Sequence, residues 1–182
     1  MHSKNGRNSG FTTIEMATVC TLILIVSGFV TLNLGSFLQS YRAGADARNI
    51  ASQISQARLR ASATFTRVRV RPDSVNRTYQ IEVMTNKTAG TYQAEGGEGF
   101  LSQGVTFGFG GVSTPAGEQT TIQQSSEIIF NSRGVPVDAG GAPTPDHAVY
   151  LTNGNGLVYA VTVSVTGHVT TWQYLGSAWV RT

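Results

Sequence analysis

From Met16 to Phe37 the chain carries no charged residue, and no other feature limits what it can fold into so tightly. About 22 uncharged, mostly apolar positions at a rise of 1.5 Å cover a hydrocarbon core of ~30 Å. The Thr, Ser and Gly residues mixed into the run do not forbid a spanning helix. A single carboxylate, Glu15, stands at its leading end, behind a short leader holding Lys4 and Arg7. A carboxylate in lipid costs roughly 2.5–3.5 kcal/mol on insertion scales, so Glu15 needs a partner, a task or a place at headgroup depth. An ordinary secretory signal puts its small-residue cleavage site after the apolar stretch. Here Gly10 lies before it, so cutting at Gly10 keeps the helix in the mature chain.

The segment Gly10-Phe11-Thr12-Thr13-Ile14-Glu15-Met16 resembles the class III signal of type IV pilins and of the pseudopilins of type II secretion. In that family a prepilin peptidase cuts after the glycine and N-methylates the new terminal phenylalanine. The resemblance implies cleavage between Gly10 and Phe11, N-methylation of Phe11, and retention of Glu15 for assembly. The resemblance divides the chain into a leader (1–10), a transmembrane and assembly helix (11–38) and a globular head (39–182).

The head alone, roughly 140 residues, is long enough for one core. Charged residues are 13% and glycines 21 of 182, which points to a β-rich, turn-rich body. Net charge is +3, and loss of the leader leaves 11 basic against 10 acidic side chains, so global charge does not argue for a polyanion partner. The lone cysteine, Cys20, sits in the apolar run and reads as a buried thiol acting as a small hydrophobe. The basic leader favours a cytoplasmic N-terminus with the head outside the inner membrane.

After Leu38 the pattern turns amphipathic. Ala43, Ala47, Ile50, Ile54, Ala57 and Ala61 recur at spacings of three and four. This predicts one long helix from about Thr12 to about Ala63, its second half packed on a sheet. Thr66–Pro72 alternates, with Val68 and Val70 on one face and Arg67, Arg69 and Arg71 on the other. Thr78–Met84 reads as a second strand, Gly90–Gly99 as a Gly-rich link, and Val105–Phe109 as further apolar alternation. Gly110–Gln124 reads as a polar loop, Glu127–Phe130 as a short strand, and Ala139–Pro145 as loop. Ala148–Leu151, Leu157–Val165 and Val169–Leu175 close the sheet, with Thr166-Gly167 as a two-residue hairpin. The expected class is α+β, a pilin-like fold with a long N-terminal α-helix on an antiparallel β-sheet head, without internal repeat or second domain.

Ile50 to Ala61, with its Ala57-Arg58 pair, is similar to a helical stretch of the GspH and FimT group. Ile129-Phe130-Asn131-Ser132-Arg133-Gly134 is similar to that group's Phe-x-x-x-Gly strand-turn, and Val163 to Val169 to its closing hairpin. The resemblance then implies a minor pilin or pseudopilin that primes or tips a type IV pilus or type II secretion pseudopilus. Its implied partners are other subunits, the prepilin peptidase, the inner-membrane assembly platform and the membrane itself.

Nothing in the sequence points to an enzyme. The histidines are His2, His147 and His168, and no HExxH, Cys-His pair or GxSxG is present. Asp138, Asp146 and His147 flank a Pro/Gly loop but offer no further spaced ligand, so no metal and no cofactor are expected. Glycine-rich segments lack a phosphate-loop lysine. The sharper alternative is DNA uptake, because Arg58, Arg60, Arg67, Arg69 and Arg71 concentrate positive charge between the helix end and the first strand. Some FimT-like pilins bind DNA through an arginine-containing motif near the C-terminus. This chain has only Arg181 there, and its arginines also suit wet sheet faces and subunit contacts. Trp172, Tyr174 and Trp179 suit base stacking or core filling.

Overall fold

The structure, a computed structural model, describes residues 10–145 and 147–182, without the side chains of residues 30–34 and 36. The leader before Gly10, with His2, Lys4 and Arg7, lies outside the described residues, and so does Asp146. The chain separates into two compact units, Met1–Leu38 and Gln39–Thr182.

Helix α1 runs over Thr13–Thr64. Its part in the first unit exposes its apolar side chains, with Ile14 73%, Leu24 73% and Phe29 68% accessible. Cys20, expected to be buried, is exposed there. Among the described residues, no helix is long and apolar enough to cross a membrane.

In the second unit α1 is amphipathic. The six stripe residues from Ala43 to Ala61 are its buried hydrophobic ones, each at most 1% accessible. They pack into one core with Val68, Val70, Tyr79, Ile128 and Phe130 on one side and Val149, Leu151, Val161 and Val163 on another. Fully burying each Val, Leu, Ile or Phe side chain is worth roughly 1.5–3 kcal/mol, so this core is the main stabilising element.

The expected single sheet is two antiparallel ones. The first orders β3-β2-β1-β5-β6, from Thr91–Phe100, Thr78–Asn86, Val68–Asp73, Ile128–Phe130 and Pro136–Val137. The second orders β10-β9-β8-β7-β4, from Trp179–Arg181, Val169–Tyr174, Val158–Val163, His147–Thr152 and Thr106–Phe107. Strands β6 and β10 are too short to leave an alternating signal.

The expected link Gly90–Gly99 is strand β3, despite its glycines. Its register on β2 shifts between Tyr79 and Ile81, so that Gly96 to Glu98 bulge out opposite Gln80. Beyond the bulge Gly99 pairs with Tyr79, whose ring lies where a Cβ would sit, 2.5 Å away. The ring supplies the cover that a glycine strand lacks, so the aromatic partner rescues its pairing.

The Gly110–Gln124 loop is more than a solvated connection. It covers the outer face of the second sheet, where Ala116 joins Ala148, Tyr150 and Ala160 in a small separate core. Tyr150 is fully buried, accepts from the Ala116 N–H at 3.0 Å and donates to the Gln119 carbonyl oxygen. The Trp179 indole N–H holds the Thr114 carbonyl at 2.9 Å.

The hairpin between β8 and β9 also differs from expectation. Ser164 N–H bonds the His168 carbonyl at 2.9 Å and Gly167 N–H the Ser164 carbonyl at 2.8 Å. The loop is therefore three residues, Val165 to Gly167, with Gly167 at φ 79° in the left-handed region.

Candidate functional site

The expected processing and assembly residues fall where α1 begins. Gly10 and Phe11 are exposed and precede the helix. Thr12 is the N-cap, and its carbonyl accepts the first helical bond, from Met16 N–H at 3.1 Å. The Glu15 Oε2 accepts from the Thr12 N–H at 2.9 Å and from its hydroxyl at 2.9 Å. Glu15 N–H in turn reaches the Thr12 hydroxyl at 3.3 Å. Thr12-Thr13-Ile14-Glu15 is thus a capping box, with two otherwise unmatched amide donors satisfied reciprocally. One carboxylate oxygen, Oε2, does this work. In the sequence the signal is Thr-x-x-Glu before an apolar run, a pattern the lone charge of Glu15 overshadows.

The five arginines share a region of the chain but not one function. Arg67 precedes β1, while Arg69 and Arg71 lie on it, on the face opposite the buried Val68 and Val70. Arg69 sits across from Glu82 in register and bonds it at 2.6 Å, with Glu127 at 2.7 Å on its other side. Its guanidinium also stands 4.0 Å over the Tyr92 ring. Arg60 pairs with Glu95 through Nε at 2.9 Å and through a second nitrogen. Arg67 donates to the Ala139 carbonyl at 3.3 Å. Arg71 is exposed, with Asp73 as its charged neighbour.

Arg58 does something that its position in the sequence does not announce. Its Nε donates to the Gly134 carbonyl at 3.1 Å and a terminal nitrogen to the Thr166 carbonyl at 3.2 Å. One helix side chain therefore holds the β5–β6 turn of one sheet and the β8–β9 loop of the other. The packing leaves no slack: a Cβ on Gly167 would lie 2.5 Å from the Gly134 carbonyl oxygen and 2.9 Å from Arg58 Nε. The three scattered stretches around Arg58, Gly134 and Gly167 meet at this junction. Their common feature in the sequence is a small or charged residue flanking an apolar strand or stripe.

His147 opens β7 and His168 is exposed at the β8–β9 loop, so they serve different places. No group of three metal-ligating side chains occurs among the described residues. Asp46, on the core side of α1, is 3% accessible and accepts from Ser102 N–H at 2.8 Å and its hydroxyl at 2.9 Å. That carboxylate ties a loop to the helix.

No family model matches the chain, and no curated protein does. Two solved structures are similar to it, both of the minor pseudopilin EpsH from the type II secretion system of Vibrio cholerae. The first is 14% identical, covering 71% of this chain and 95% of its own, with a TM-score of 0.47. The second is 15% identical, covering 72% and 94%, also at 0.47. At that score the likeness is partial and decides neither family nor function.

Proposed function

We propose that this chain is a minor pilin-like subunit, a structural component of a type IV pilus or type II secretion pseudopilus. The observation that carries the reading is the capping box at the start of an apolar helix whose described side chains lie bare. Apolar groups such as Phe11, Ile14 and Leu24 stay out of water only if lipid or sister helices cover them. In the proposed cycle a prepilin peptidase cuts between Gly10 and Phe11 and methylates the Phe11 amine. The helix then holds the head on the outer side of the inner membrane until the assembly platform extracts the subunit into a filament. There Glu15 faces the Phe11 amine of a neighbour, and each charge offsets another that apolar surroundings solvate poorly.

The DNA-uptake alternative is weakened at two of its five arginines. Arg60 and Arg69 are matched by Glu95, Glu82 and Glu127, which lowers the positive potential offered to phosphates. The test of the leading reading is coexpression with a prepilin peptidase and intact-mass spectrometry of the product. The expected mass is that of residues 11–182 with one added methyl group, and Gly10→Leu is expected to keep residues 1–10. A mature wild-type chain beginning after residue 38, or one keeping its leader in assembled fibres, would refute the proposal.

A further inference from the structure

On the outer face of the second sheet, Gly117 and Glu118 of the covering loop line a cleft of about 450 Å³ beside the β8–β9 hairpin. This is within the size range of small-molecule sites. Its floor is Trp172, whose indole N–H is committed to the Thr162 hydroxyl at 2.8 Å, which fixes the ring plane. Arg181, from the last strand, hangs over that ring at 5.3 Å with its guanidinium exposed. Glu118 also lines the cleft and accepts from the Val165 N–H at a long 3.4 Å. Hydroxyl residues line it as well: Thr170, and Ser164 and Thr166, whose hydroxyls lie 2.9 Å apart. The cation and the carboxylate both line the cleft without bonding each other, so each keeps donors or acceptors for a visitor.

Those groups describe a ligand with one carboxylate and several hydroxyls on a compact ring. A guanidinium takes a carboxylate in a two-pronged bond. A carboxylate such as Glu118 only accepts, so it selects a hydroxyl-bearing ligand and repels a polyanion. The part of the fixed Trp172 ring that lines the cleft beside Arg181 gives an apolar surface for the C–H groups of a sugar. We propose that this cleft binds an acidic saccharide, its carboxylate on Arg181, its ring against Trp172 and its hydroxyls on Glu118 and the Thr/Ser wall. All these groups lie in the unit Gln39–Thr182, so the proposal stands or falls apart from the filament reading.

The test is calorimetric titration of the full chain in detergent micelles with galacturonic acid, which carries one carboxylate. Galactose, the neutral sugar of the same ring, and a DNA duplex are the comparison ligands. Saturable binding of galacturonic acid is expected, at least tenfold tighter than the neutral sugar. Arg181→Ala and Glu118→Ala, both surface changes, are each expected to weaken it at least tenfold without moving the thermal midpoint. Equal affinity for the neutral sugar overturns the proposal, and so does tighter binding of DNA. Insensitivity to both substitutions, or no binding at millimolar ligand, overturns it too.

Discussion

Tyr150 shows how one side chain can hold a long loop. Its hydroxyl is both acceptor, from Ala116, and donor, to Gln119, inside a site that water does not reach. Tyr150→Phe keeps the ring and removes both hydroxyl bonds, so it is expected to cost about 1–3 kcal/mol in urea unfolding. The same burial raises the phenol pKa above its ordinary 10.0, against a smaller lowering by the Ala116 bond. The folded state therefore keeps this proton to higher pH than the unfolded state. Its contribution is complete below pH ~10 and is lost as pH rises through the folded value. The stability gap between wild type and Tyr150→Phe should accordingly narrow in alkaline buffer, and a constant gap up to pH 11 would contradict the assignment.

Elements in this chain are held together by distant pairs as much as by their own patterns. Gly167 sits at φ 79° against a carbonyl and a guanidinium, whereas Gly154, at φ 74°, has open space around it. An alanine at either position bears the left-handed penalty of roughly 1–2 kcal/mol. Gly167→Ala must also push apart the β5–β6 turn and Arg58, so its loss in denaturant midpoint should exceed that of Gly154→Ala. Equal losses would mean that the junction is loose. The helix stripe from Ala43 to Ala61 was legible because its period is local. So was the Val68/Val70 face of β1. Strand β3 was not, because the cover for Gly99 comes from Tyr79 across the sheet rather than from its own side chains. The division into two sheets was equally hidden, since nothing local records which strand pairs with which. At the site, Gly10 to Glu15 could be read as a motif, while the role of Arg58 depends on carbonyls 76 and 108 positions away.

At the scale of the whole molecule the proposed function asks one carboxylate to serve both a lone chain and a filament. In the structure Glu15 already has a local task, since its Oε2 closes the box on Thr12. Losing a cap costs a helix about 0.5–2 kcal/mol, so a defect after Glu15→Ala has two explanations, a frayed helix start or a missing charge. Glu15→Gln separates them, because a glutamine side chain closes the same box without charge. If pairing with a neighbour's Phe11 amine drives assembly, Glu15→Ala and Glu15→Gln should both be processed, stay in the membrane fraction and fail to enter filaments. A glutamine variant that assembles like the wild type, measured by sheared-fibre yield, would reduce Glu15 to a helix cap. An unpaired ammonium in an apolar bundle is the physical reason to expect otherwise, since isolated charge there costs several kcal/mol and neutral amides do not offset it.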